Sequence, residues 1–161
     1  MTIRFAAALL VAFPGALALA HSPADHKVQM DHAEAQHAAA PGRPGDPNKA
    51  SRSVHVAMDD NMRFSPSTIA VKRNETVRFV VTNKGKLTHE MVFGTMADLK
   101  SHVAIMRGSP AMQHDDPNAV TVAPGKTGTL VWQFTRTGNF DFACLQPGHF
   151  EAGMLGKVAV Q

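Results

Sequence analysis

Glu75 to Thr82 reads ETVRFVVT, and its alternation decides the fold: Val77, Phe79 and Val81 fall on one face, Thr76, Arg78 and Val80 on the other. A period of two with one apolar face belongs to a half-buried β-strand. Thr129 to Phe134, TLVWQF, repeats the pattern, with Leu130, Trp132 and Phe134 alternating with Thr129, Val131 and Gln133. Working outward, shorter runs bounded by turn residues predict strands at 54–58, 68–71, 88–93, 120–122, 139–144 and 156–160. About eight short strands between residues 51 and 161 predict an all-β, Greek-key β-sandwich. APGKTG at 123–128 is a turn; Val120 stands where a phosphate loop needs its first glycine.

One stretch follows another period. In TMADLKSHVAIMRG, 95–108, Met96, Leu99, Val103 and Met106 recur at helical spacing behind a Thr95-x-x-Asp98 capping pair. This predicts one short helix inserted between strands, its methionines packing rather than ligating. His102, one position off that stripe, is expected to face solvent.

Residues 1–20 combine Arg4 with an apolar run ending in Ala18-Leu19-Ala20, which predicts a signal peptide cleaved after Ala20. The run from Phe5 is shorter than the roughly 20 apolar residues of a membrane span and contains Pro14 and Gly15. Export to the periplasm by the general secretory route is expected, with no membrane span left after cleavage. Residues 21–50 are rich in Ala, Pro, Gly and His and poor in large apolar residues, so they are expected to form a disordered tail ahead of a domain at 51–161. Without Arg4, the 16 Lys and Arg become 15 against 13 Asp and Glu, scattered rather than clustered, which gives no case for a nucleic-acid partner.

The chain has a single cysteine, Cys144, which excludes an intramolecular disulfide framework. In an oxidising compartment a lone thiol has to be buried, paired between chains or occupied. Parity carries it inward: in NFDFAC, Phe140, Phe142 and Cys144 share a face, and in THEMVF so do His89, Met91 and Phe93. His149 and Met154 follow Cys144 across a Pro-Gly loop. Two imidazoles, a thiolate and a thioether can thus converge at one end of the sandwich. Thiolate and thioether are soft and imidazole is borderline, the set expected of a type 1 copper centre. Structural zinc seldom takes Met, and iron–sulfur clusters need more cysteines.

At NMRFSPSTIAVKRNETVRFVVTNKGKLTHEMVFG and GNFDFACLQPGHFEAGMLGKVAV the chain resembles the cupredoxins, with a Cys–His–Met spacing similar to auracyanin and rusticyanin and a helix similar to that of azurin-like members. The resemblance implies His89, Cys144 and His149 as equatorial ligands of one type 1 copper and Met154 as the axial one. Many family members place Asn or Ser after the first histidine, where it holds the ligand loops together. Here Glu90 stands there, and strand parity points its carboxylate away from the donors.

The tail holds His21, His26, Met30, His32 and His37, a composition suited to weak, flexible binding of further copper. Met112 and His114 are expected to be a passing Met and His in a loop. The layout is similar to periplasmic cupredoxins of bacterial copper tolerance, which implies a monomeric copper-handling protein. The alternative is a soluble electron carrier whose redox or copper-transfer partner docks near His149, with Leu145, Pro147 and Phe150 either forming an apolar patch there or simply closing the loop. An enzyme is not expected, since a multicopper oxidase needs further histidine clusters on a second domain.

Overall fold

The alternating runs pair into two five-stranded sheets in a computed structural model that describes residues 41–108 and 116–161. One sheet contains β1 (Gly42–Pro44), β2 (Arg52–Asp59), β3 (Arg63–Ser65), β5 (Thr76–Asn83) and β8 (Thr127–Phe134), in the order β1-β8-β5-β2-β3. The other contains β4 (Thr68–Val71), β6 (His89–Gly94), β7 (Ala119–Val122), β9 (Gly138–Ala143) and β10 (Leu155–Val160), in the order β4-β10-β9-β6-β7. A single α-helix, α1 (Met96–Gly108), lies between β6 and β7 in the described chain.

Apolar parity builds the core. Val77, Phe79 and Val81 of β5 and Leu130, Trp132 and Phe134 of β8 are buried against Met91, Phe93, Phe140, Phe142 and Val158 of the facing sheet. Phe93 sits at the centre, its ring centroid 4.9 Å from Phe79, 5.6 Å from Phe134, 6.1 Å from Phe142 and 6.3 Å from Trp132. Where the helix covers them, β6 and β9 are apolar on their other face as well. There Val92, Ala143 and Leu145 pack under Leu99 and Val103 of the helix, so alternation alone does not describe these two strands.

The helix starts as its capping pair predicts: Asp98 N–H donates to Thr95 Oγ1 at 3.2 Å and Thr95 N–H to the Asp98 carboxylate at 3.1 Å. His102 departs from expectation. It is half-buried, with Nδ1 3.8 Å from Asp116, because the chain returning to β7 covers that side of the helix.

Two of the ten strands, β1 and β3, were not foreseen; three residues are too few to show a period. Strand β1 also corrects the tail boundary. Gly42, Arg43 and Pro44 pair with Phe134, Gln133 and Trp132, and Gly45 N–H donates to Val131 O at 2.9 Å. A 3-10 turn at Pro47–Lys49 follows, capped by Asp46 and held by Arg78 on the Pro47 carbonyl. Residues 41–50 therefore belong to the sandwich: backbone pairing to an open sheet edge substitutes for the apolar burial their composition lacks. Residues 1–20, expected to be a signal peptide, and His21, His26, Met30, His32 and His37 lie outside the described residues, as do Met112 and His114.

Candidate metal centre

His89 opens β6 on its inward face and is fully buried. Cys144 leaves the end of β9 in register with Phe140 and Phe142, also fully buried. The segment from Leu145 to Met154 folds into consecutive turns, with His149 N–H donating to Gln146 O and Gly153 N–H to Phe150 O, both at 3.0 Å. Gly148 (φ +82°) and Gly153 (φ +85°) take the left-handed conformation these turns require. Cys144 N–H donates to Met154 O at 3.1 Å and Met154 N–H to His149 O at 3.0 Å, which closes the loop at its base.

These elements bring three donor atoms together. His89 Nδ1, His149 Nδ1 and Cys144 Sγ all lie within 4.8 Å of one another, with separations of 3.1 Å between the nitrogens and 3.3 and 3.9 Å from sulfur to His149 and His89. Bonds of about 2.0 Å to nitrogen and about 2.3 Å to sulfur, as for a first-row ion, place trigonal ligands about 3.5 to 3.7 Å apart. The triangle is close to that size, so the residues fit a small soft ion without rearrangement of the backbone. Met154 is buried in the same core cluster as Cys144, and its backbone is hydrogen-bonded to both Cys144 and His149.

The surroundings favour the neutral forms of His149 and Cys144 until a metal arrives. Burial, then the neighbouring His89, holds His149 below the usual histidine range, leaving a lone pair free to bind. Burial pushes the Cys144 thiol up to about 12, opposed by N–H groups of Glu90 and Gln146 directed at it. A metal ion has to displace that proton, and the Glu90 N–H, 3.4 Å from Sγ, is in place to stabilise the resulting thiolate.

One consequence is measurable without metal. The folded thiol, at about 12, stays protonated where an unfolded thiol, near 9.0, ionises. Its contribution to stability is therefore complete below about pH 9 and is lost as pH rises toward 12. Urea midpoints of the copper-free protein should fall across that window more steeply than those of Cys144→Ser. Parallel slopes would show that the thiol is not held protonated.

Glu90 does more than parity suggested. Its carboxylate does lie on the face opposite His89, but it accepts the Leu145 N–H at 2.9 Å and so ties β6 to the first residue of the ligand loop. Burial pushes this carboxyl up, against that hydrogen bond. Leu145 itself is buried under the helix and Phe150 packs against the same cluster, so they close the loop; of the three residues considered for a docking patch only Pro147 is exposed. Sequence reasoning missed Asp60, whose Oδ1 lies 3.1 Å from His89 Nε2, and Arg63, which reaches the Ala152 and Gly153 carbonyls at 3.5 Å. Neither carries a local motif, since each meets the site across the β2–β3 turn.

Residues 50–161 match the family of copper binding proteins described as the plastocyanin/azurin family. The chain belongs to that family. It is 58% identical over 138 residues to the "Copper-resistant cuproprotein CopI" of Rubrivivax gelatinosus, covering 85% of this chain and 84% of the relative. To the protein of the same description from Pseudomonas aeruginosa it is 40% identical over 154 residues, with 78% and 84% covered. Auracyanin B shares the fold at a TM-score of 0.63 and 20% identity, covering 76% of this chain and 96% of that one. As in other cupredoxins, the cofactor is copper, and the His-Cys-His group is the place in the described structure that suits it. Among the described residues, no helix is long and apolar enough to cross a membrane.

Proposed function

We propose that this cupredoxin is exported to the periplasm and protects against excess copper, holding one copper through His89, Cys144 and His149 with Met154 as the axial ligand. The observation that carries the reading is the convergence of the two Nδ1 atoms and Sγ within 4.8 Å, in a chain whose relatives are described as copper-resistant. Two imidazoles and a thiolate, together with the thioether proposed as the fourth donor, select copper over zinc, calcium or magnesium.

Bound copper supplies one-electron Cu(II)/Cu(I) chemistry. The chain's own residues do the rest. Cys144 surrenders its proton on loading, the Glu90 N–H faces the sulfur, and the Glu90 carboxylate fixes the loop that carries His149. His89 is sealed in the core while His149 is partly exposed, so contact with an outside donor or acceptor runs through the His149 side. That exposure favours a second reading, a monomeric electron carrier with a partner docking at His149. In both readings the protein binds copper and passes on electrons or ions, and is not an enzyme.

The tail separates the two. In the first reading His21, His26, Met30, His32 and His37 capture further copper. Titrating the mature protein should give one equivalent that develops the thiolate absorption and additional equivalents that add little to it. Deleting residues 21–40, which leaves β1 in place, should remove only the additional equivalents. A single equivalent in both proteins would favour the electron carrier.

A further inference from the structure

We infer that Asp60 is a positioning residue for His89, fixing the orientation of its imidazole and biasing the centre toward Cu(II). The inference rests on the proposed ligation by His89 Nδ1.

Asp60 lies in the turn after β2, and its carboxylate is enclosed by the loop that leads from β5 into β6. Lys86 N–H donates to Oδ2 at 2.8 Å and Leu87 N–H to Oδ1 at 3.3 Å, while His89 Nε2 stands 3.1 Å from Oδ1. Loop and carboxylate are matched. A Cβ on Gly85 would overlap Asp60 Oδ1, so glycine is what allows the approach. Asn83, buried at the loop's start, accepts from Gly85 N–H at 2.8 Å and donates to the Leu87 carbonyl at 2.7 Å and the Val122 carbonyl at 2.9 Å, which holds the curve in place.

The geometry has two effects on His89. A carboxylate at Nε2 keeps the proton on that nitrogen, which leaves the Nδ1 lone pair directed at Cys144 and His149. A negative acceptor on the far side of the ring also makes Nδ1 a stronger donor, and a stronger donor stabilises the more highly charged ion. Solvent reaches Asp60, whose side chain is 36% exposed, so the hydrogen bond and not the distant field is the route of the effect.

Asp60→Asn retains an acceptor for Nε2–H and removes the charge, whereas Asp60→Ala removes both. In the copper-loaded protein Asp60→Asn should lower the ratio of Cu(II) to Cu(I) affinity about tenfold, a rise in potential of about 59 mV, with the thiolate absorption retained. Asp60→Ala should weaken Cu(II) binding about 10- to 100-fold. In the copper-free protein, nitrogen-15 spectra should show His89 as the Nε2–H tautomer, and as a mixture in Asp60→Ala.

Should Asp60→Ala not fold, Gly85→Ala displaces the carboxylate with its charge intact and should also raise the potential. An unchanged potential in Asp60→Asn and Gly85→Ala, or a single unaltered His89 tautomer in Asp60→Ala, would overturn the inference. Wild-type protein without thiolate absorption at one equivalent of copper would instead refute the ligand reading, and the copper-free tautomer test stands either way.

Discussion

Cys144→Ser abolishes the intense visible absorption of the copper-loaded protein while the sandwich stays folded. The absorption requires a copper–thiolate bond, and the chain has one sulfur able to form it as a thiolate. Serine is close to cysteine in size, and a hydroxyl at this position finds partners, since Glu90 N–H and His149 Nδ1 lie 3.4 and 3.3 Å from the sulfur. With those hydrogen bonds available, the stability cost should be about 1–2 kcal/mol rather than that of an orphaned polar group. Far-ultraviolet circular dichroism and urea unfolding of the copper-free variant check the fold; the visible spectrum after one equivalent of copper checks the site. An intense band surviving in the variant would place copper elsewhere.

Phe93→Ala has the largest expected effect on stability. The ring is fully buried and touches Phe79, Phe134, Phe142 and Trp132, so it joins both sheets at the middle of the core. Truncating a buried phenylalanine costs about 3–5 kcal/mol, against a total of about 5–15 kcal/mol for a domain. Four aromatic neighbours held in edge-on and tilted contacts cannot all collapse into the vacated space, which argues for the upper part of that range. Urea unfolding of the copper-free protein measures the loss, and copper at about 100 times its Kd should recover about 2.7 kcal/mol. A loss below about 1 kcal/mol would mean that the rings repack around alanine.

The sequence carries most of what local periodicity can carry. Burial of Val77, Phe79 and Val81, and of His89, Met91 and Phe93 on one side of β6, follows from a period of two, because one face of each strand meets the opposite sheet. The capping pair at Thr95 marks the start of the helix by the same kind of local chemistry. What alternation does not reveal comes from chain segments far apart in sequence. Strand β1 is three residues of Gly, Arg and Pro whose only claim to strand character is the free edge of β8. Leu145 looked available for docking until the helix was laid over it. Asp60 reaches His89 from 29 residues away, through a loop whose shape depends on a glycine and a buried asparagine.

Strand β1 also sets a limit on reach. Gly42 pairs with Phe134 at one end of β8, whereas Thr127 at its other end pairs with Thr82 beside the loop that leads to His89. The chain before Pro41 therefore joins the sandwich at the pole remote from the copper site. His37 lies four positions before Pro41 (41 − 37), a tether of at most about 14 Å. The eight residues of β5, which run from that pole toward the site, span about 26 Å. His37 is therefore tethered close to the pole remote from the site. His21 and His26, 20 and 15 positions from the anchor, have contours of about 70 and 50 Å and can cover the distance. In the proposed capture of copper by the tail, the histidines far from the anchor, rather than His37, are the ones with reach to spare.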